Sequence, residues 1–273
     1  MVNNGKWTPE IITRFWDYVG KQPYQQSLCF SNQVGKGILQ FLIESRSLWD
    51  GMTVLDYGCG PGFLLQHLLS KGLICYGADY SSKQIDLINE KFSDIPYWKG
   101  ASVALHPPLP FPDASFDLIL CVEVLEHLLP ELEKTIPMEI CRLLKPKGRA
   151  LFTTPNNENL QDKEVYCPFC DTRFHKRQHL RSMDSKYIFA MLRSIGFDIL
   201  FCESLDFYAL QSRHFNITWK SWDIRFLVKS FRWLNNYVMD FFNPKPFPNG
   251  RVFKSRSKCK SNAPHLCALV EKP

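Results

Sequence analysis

Short apolar runs alternate along this chain with longer stretches in which apolar residues recur at helical spacing. The runs fall at residues 53–57, 74–79, 96–99, 116–122, 148–154, 197–204 and 265–271. Short runs with little polar alternation are the pattern of strands buried on both faces. Helices are expected between most of them, and such alternation implies right-handed crossovers. The pattern therefore predicts an α/β fold, a doubly wound, mostly parallel seven-stranded sheet covered on both sides.

Two regions depart from the alternation. Residues 7–46 read as helical and rich in rings, with Trp7, Phe15, Trp16, Tyr18, Tyr24 and Phe30 ahead of Ile38, Leu39, Leu42 and Ile43. Thr8 is the expected N-cap there, with Pro9 in the first turn. Between residues 215 and 242, apolar residues again keep helical spacing while Lys220, Arg225, Lys229 and Arg232 tend to the other side. Such a helix would pack on the sheet, cap a pocket or lie on an anionic membrane surface.

Charge sharpens that contrast. The net charge is +6, but residues 213–260 hold eleven Lys/Arg against two Asp/Glu, so the rest of the chain is mildly acidic. The basicity belongs to one surface, which could steer an anionic partner. No apolar run reaches the length of a membrane span, and the start of the chain does not read as a signal peptide. Ten cysteines scattered through predicted elements fit reduced thiols in a cytoplasmic protein, not a secreted framework.

The first strand runs into Asp56-Tyr57-Gly58-Cys59-Gly60-Pro61-Gly62, and a helical stretch follows at once. Glycines at alternate positions permit positive φ and let a ligand approach the backbone, while the helix start offers free N–H groups. The wider G-x-G-x-x-G spacing of nicotinamide sites and the Lys-Ser/Thr pair of a P-loop are both missing. The stretch resembles motif I of the class I S-adenosylmethionine-dependent methyltransferases. That resemblance implies a Rossmann-like sheet with an antiparallel edge pair at 197–204 and 265–271, and S-adenosylmethionine as cofactor. It makes Asp79, at the end of the second strand, the ribose ligand, with Asp56, Gly58, Gly60, Gly62, Tyr80, Ser102 and Cys121 also on the cofactor. Where the family carries an acid near the adenine, this chain has Ala101, so Ser102 or backbone groups are expected there. The run from Leu109 to Ile119 closely matches the family's approach to its fourth strand. The expected organisation is a helical N-terminal lid at 1–46, a methyltransferase core at 47–206 and 261–273 with a Cys/His loop at 160–182, and a basic aromatic helical insertion at 207–260. Tyr24 and Phe30 could face the cofactor from the lid or pack outside the sheet.

The fourth strand ends in Glu123-Val124-Leu125-Glu126-His127, at the edge where the transferred methyl should sit. Glu126 and His127 are expected to open a helix, where Glu126 could serve as a cap. A hydroxyl acceptor must lose a proton, and His127 is the first candidate for the base, with His179 second. The same E-x-x-E-H pattern resembles the metal-ligand motif of the small-RNA 2′-O-methyltransferases, which would give Glu123, Glu126, His127 and His179 a catalytic metal. Further on, Cys167, Cys170, His175 and His179 have the spacing C-x2-C-x4-H-x3-H, which can close a tetrahedral zinc site. The start of that pattern resembles a zinc knuckle, and an insertion of this kind is similar to a group of bacterial methyltransferases acting on small molecules or glycans. The sequence thus points to O-methylation of a small-molecule, glycan or carrier-linked acceptor by a cytoplasmic enzyme, with residues 213–260 available to an anionic membrane surface and nucleic acid a weaker fit. The alternatives are metal-dependent RNA 2′-O-methylation and a non-catalytic cofactor-binding scaffold or membrane-surface protein.

Overall fold

The computed structural model describes residues 3–4, 6–104, 106–211, 245–246, 252–253 and 263–273. Its centre is a seven-stranded sheet of β1 (Thr53–Tyr57), β2 (Ile74–Asp79), β3 (Trp98–Val103), β4 (Phe116–Val122), β5 (Leu144–Pro155), β8 (Asp198–Leu205) and β9 (His265–Glu271). The spatial order is β3-β2-β1-β4-β5-β9-β8. The first five strands pair in parallel, and β9 runs antiparallel between β5 and β8. Because β9 is antiparallel, its first residue, His265, lies opposite Pro155 at the carboxyl edge of the parallel strands.

Alternation along the strands divides the apolar residues between two layers. Val54, Leu118 and Leu120 join α3 (Phe30–Glu44), α4 (Phe63–Leu69), α5 (Ser82–Phe92) and α8 (Phe207–Gln211) on one face. Leu55, Ile119 and Cys121 join α1 (Pro9–Val19), α6 (Thr135–Leu143) and α7 (Ser185–Ile195) on the other. Burying each such leucine or isoleucine is worth about 1.5–3 kcal/mol against leaving it in water. The sheet is therefore a rigid floor for whatever its carboxyl edge carries.

The N-terminal segment folds as α1, α2 (Pro23–Ser27) and α3, not as one continuous helix. Thr8 caps α1 by accepting from the Ile11 N–H, with Pro9 in the first turn. Tyr24 is 71% exposed and faces water. The 160–182 region contains a hairpin of β6 (Glu164–Cys167) and β7 (Thr172–His175), extended by a short parallel strand at Asn3–Asn4. Of the expected insertion at 207–260, Phe207–Gln211 is α8 and Lys245–Pro246 pairs with Val252–Phe253; the basic aromatic helix lies outside the described residues. No described helix is long and apolar enough to cross a membrane.

Candidate active site

The glycine turn follows β1 and leads directly into α4, with Gly58, Gly60 and Gly62 all at positive φ. Gly58 and Cys59 donate to Ala78 O at 2.7 and 3.1 Å. Gly60 N donates to Asp79 Oδ2 at 2.8 Å, and Ser81 N donates to Asp79 Oδ1 at 2.9 Å. A carboxylate offers about four lone-pair positions, so Asp79 keeps acceptor capacity for a ligand. Burial pushes its pKa up, against the pull of those backbone donors. From α1, Asp17 accepts from the Ser81 hydroxyl at 2.5 Å and pairs with Lys83 at 3.2 Å, which fastens the first helix over the end of β2.

These groups border a cavity of about 380 Å³. Gly58, Gly60, Asp79 and Tyr80 line it. A Cβ at Gly60 would meet nothing within 4 Å, whereas one at Gly58 would lie 2.4 Å from Val124 Cγ2. The Tyr80 hydroxyl is buried without a hydrogen-bond partner. An open glycine, an acid with spare acceptor sites and an unpaired hydroxyl fit a nucleoside-bearing cofactor.

Four of the expected cofactor residues sit elsewhere. Asp56 lies beneath the turn at 3% exposure, where burial and the neighbouring Asp79 raise its pKa to about 7. Gly62 serves packing, since a Cβ there would stand 2.8 Å from the Phe92 ring. Cys121 points into the layer beneath α6 and α7, and burial drives its thiol pKa well above the ordinary range. Ser102 is on β3 and does not line the cavity. The Ala101 N–H and C=O are both bound by the Asn89 side chain, so they are not free for an adenine; Ala104 is the residue of this strand end that reaches the cavity.

The residues that follow β4 give the cavity an acidic wall rich in imidazole. Glu123 follows β4 at φ 53°, a costly conformation for a residue with a Cβ. It is clamped to β5, since its N–H bonds Thr153 O at 3.1 Å and its Oε1 accepts from Thr153 Oγ1 at 2.9 Å. Leu125–His127 is a single 3-10 turn, and α6 begins only at Thr135. Glu126 therefore caps no helix. It is 1% exposed, and neither carboxylate oxygen has a hydrogen-bond partner. Burial and the Glu123 carboxylate raise its pKa well above the usual range.

His127 and His179 meet Glu126 there, each offering one ligand atom within 4.8 Å of the others. His127 Nδ1 lies 3.3 Å from Gln178 O, which can only accept. The proton therefore sits on Nδ1, and Nε2 presents its lone pair 3.8 Å from Glu126 Oε1. His179 Nδ1 hydrogen-bonds Glu158 Oε2, so its Nε2 is free in the same way. Burial and the adjacent His179 hold His127 well below its ordinary pKa, and burial lowers His179 too. Both rings are neutral near pH 7. Burial pushes the Glu158 carboxyl up, but Lys163 and His179 outweigh it and keep the group ionised.

The Cys-Cys-His-His set does not form. Cys167 pairs with Thr172 and His175 pairs with Glu164 across the hairpin, three residues further along. At about 3.3 Å per residue that is roughly 10 Å. The two thiols interact with each other at the turn, where Cys170 lowers the Cys167 pKa. His175 instead joins Glu158 and His179. Its Nδ1 accepts from the Arg177 and His179 N–H groups at 3.3 and 3.1 Å, which leaves the proton on Nε2, 3.8 Å from Glu158 Oε1.

Comparison with known proteins bears on the whole arrangement. A profile described as "Methyltransferase domain" matches residues 55–152. The ubiquinone biosynthesis O-methyltransferase of Paracidovorax citrulli is 35% identical over 119 residues, 42% of this chain and 48% of that one. A tRNA N(3)-cytidine methyltransferase of Gallus gallus is 32% identical over 109 residues, 36% of this chain and 29% of that one. The structure of Burkholderia thailandensis 1,6-didemethyltoxoflavin-N1-methyltransferase, with its acceptor and S-adenosylhomocysteine bound, matches at TM-score 0.55 and 15% identity over 99% of this chain and 93% of that one. Residues 55–152 form a methyltransferase domain, set in the Rossmann-like fold of the class I S-adenosylmethionine-dependent methyltransferases. The chain spans about half the length of the first curated relatives it matches.

Several groups in this methyltransferase site escape a reading of the sequence. Glu158 stands three residues past the end of β5 and marks no motif; its role arises from meeting His179. His265, at the start of β9, lines the cavity, stacks on Phe30 at 4.0 Å and lies 3.2 Å from Glu123 Oε2. Its signal is positional: the first residue of an antiparallel last strand must reach the carboxyl edge. Arg177 and Gln178 line the cavity from the loop after β7 with no sequence signal at all.

Proposed function

We propose that this chain moves a methyl group from S-adenosylmethionine to an oxygen of a small-molecule, glycan or carrier-linked acceptor. The observation that carries the reading is the convergence of Glu126, His127 and His179 on one wall of the cavity that the glycine turn also lines. Asp79 and the Gly58–Gly60 turn would hold the cofactor's ribose and let its chain pass close to the backbone. Bound there, S-adenosylmethionine supplies a methyl group activated by its positive sulfur. The protein's part is to hold the acceptor in line, exclude water and receive one proton. His127 suits that proton transfer: it is neutral, its Nε2 lone pair is free and the Gln178 carbonyl fixes its tautomer. Likeness to relatives named for O-methylation in ubiquinone biosynthesis supports a hydroxyl on a small molecule.

A second reading is favoured by the two bare oxygens of Glu126. A buried carboxylate beside two imidazole lone pairs suits a divalent metal, and Glu158 behind His179 is the outer carboxylate that orients such ligands. Under this reading, the acceptor is an RNA 2′-hydroxyl. The test is transfer from methyl-labelled S-adenosylmethionine to a panel of catechols, free sugars and lipid-linked sugars and to short RNA, with and without chelator, alongside elemental analysis. Transfer to a catechol or sugar acceptor that survives chelation, and that falls roughly 10²- to 10⁴-fold in His127→Ala, supports the first reading. Transfer only to RNA, lost with chelator, moves the assignment to the second. Methylation of neither class overturns both.

A further inference from the structure

Arg177 is the charge in this cavity that the site chemistry leaves unused. It lines the cavity at intermediate exposure, and its guanidinium has no hydrogen bond or ion pair among the described residues. The other cation on the wall, Lys163, is neutralised by Glu158. Arg177 sits between the lid and the acceptor wall, for the side chain of the adjacent Gln178 accepts from Trp16 on α1 and donates to His127 O.

Its backbone is held firmly. The next residue, Gln178, is fully buried at φ 61° and tied on every side. Its amide oxygen accepts from Trp16, its amide nitrogen donates to His127 O, and its own N–H donates to His175 O at 2.8 Å. An unpaired guanidinium on a pinned loop, facing a cavity, is a prepared receptor for an anion. Its planar fork matches a carboxylate or phosphate in two parallel hydrogen bonds.

We propose that Arg177 binds an anionic group, a carboxylate or a phosphate, of a molecule held in this cavity. Its place beside Gln178 and His127 favours the acceptor as the source, which makes the preferred acceptor an acidic hydroxyl compound. The amino-acid carboxylate of the cofactor carries the same chemistry and is the other source. The inference rests on the cofactor-binding reading above.

The experiment is calorimetry on the full chain, wild type against Arg177→Ala and Arg177→Lys. One arm compares S-adenosylhomocysteine with methylthioadenosine, which lacks the amino-acid carboxylate. The other compares 3,4-dihydroxybenzoate with catechol, with and without S-adenosylhomocysteine. Arg177→Ala should weaken dihydroxybenzoate about 10- to 100-fold, bringing it to the level of catechol, with catechol and methylthioadenosine unchanged and Arg177→Lys between. A loss confined to S-adenosylhomocysteine keeps the anion site and assigns it to the cofactor. Equal binding of both carboxylates by wild type and Arg177→Ala overturns the proposal, as does wild type binding neither. A wild type that fails to bind S-adenosylhomocysteine but binds dihydroxybenzoate in an Arg177-dependent way sinks the cofactor reading and leaves the anion site standing.

Discussion

Trp16 Nε1 donates a 2.9 Å hydrogen bond to Gln178 Oε1, joining the first helix to the His175–His179 loop across 162 positions of sequence. Gln178 is fully buried, so its amide oxygen has no water to turn to. Trp16→Phe should lower stability to urea by about 1–3 kcal/mol, the cost of leaving a buried acceptor bare. A double-mutant cycle with Gln178→Ala should give a coupling above about 0.5 kcal/mol; additive effects would mean the bond contributes nothing.

The turn glycines make a sharper pair. A side chain at Gly60 has room in the fold but projects into the cavity region, while a Cβ at Gly58 collides with Val124. Gly60→Val should keep most of the thermal stability and lose S-adenosylhomocysteine binding in calorimetry, apart from roughly 1–2 kcal/mol of left-handed strain. Gly58→Val should lose stability first. Equal melting losses in the two would contradict this division.

Asp56 predicts a pH signature. Its pKa is raised from 3.8 to about 7 in the fold, so between those values the folded state holds a proton that the unfolded state has released. Its contribution to stability therefore falls as pH rises from about 4 to about 7 and is level above that, with a limiting slope of about 1.4 kcal/mol per pH unit. Asp56→Asn should gain on the wild type across that window in urea titrations. A difference that stays constant from pH 4 to 8 would remove the burial argument.

Glu126 separates stability from turnover. Glu126→Gln keeps the shape and removes a buried ionisable group whose pKa burial and Glu123 raise more than the Thr154 side chain lowers it, so stability should hold or rise. Methyl transfer should drop by at least roughly 10²-fold if the carboxylate takes part in proton or metal chemistry. A variant that is as active as the wild type would reduce Glu126 to a tolerated burial.

Much of this was legible in local sequence. The runs at 53–57, 74–79, 116–122 and 265–271 coincide with β1, β2, β4 and β9, because burial on both faces writes itself into every residue of a strand. Residues 96–99 were displaced toward 98–103 and 148–154 extended to 144–155, since strand ends depend on neighbours. The glycine turn and the Thr8 cap were equally plain: positive φ and a side-chain cap are properties of a few consecutive residues.

What the chain's order alone could not decide was which charged groups meet. The spacing of Cys167, Cys170, His175 and His179 suits a tetrahedral metal, but hairpin register holds the cysteines away and delivers the histidines to Glu158. Glu126 and His127 looked like a helix start and became one 3-10 turn, turned inward beside His179. His265 reaches the cavity only because β9 enters the sheet antiparallel between β5 and β8. Hydrophobic periodicity sets where each element forms. The meeting of single side chains from four separate elements is set by strand order and register, which are decided only when the layers pack.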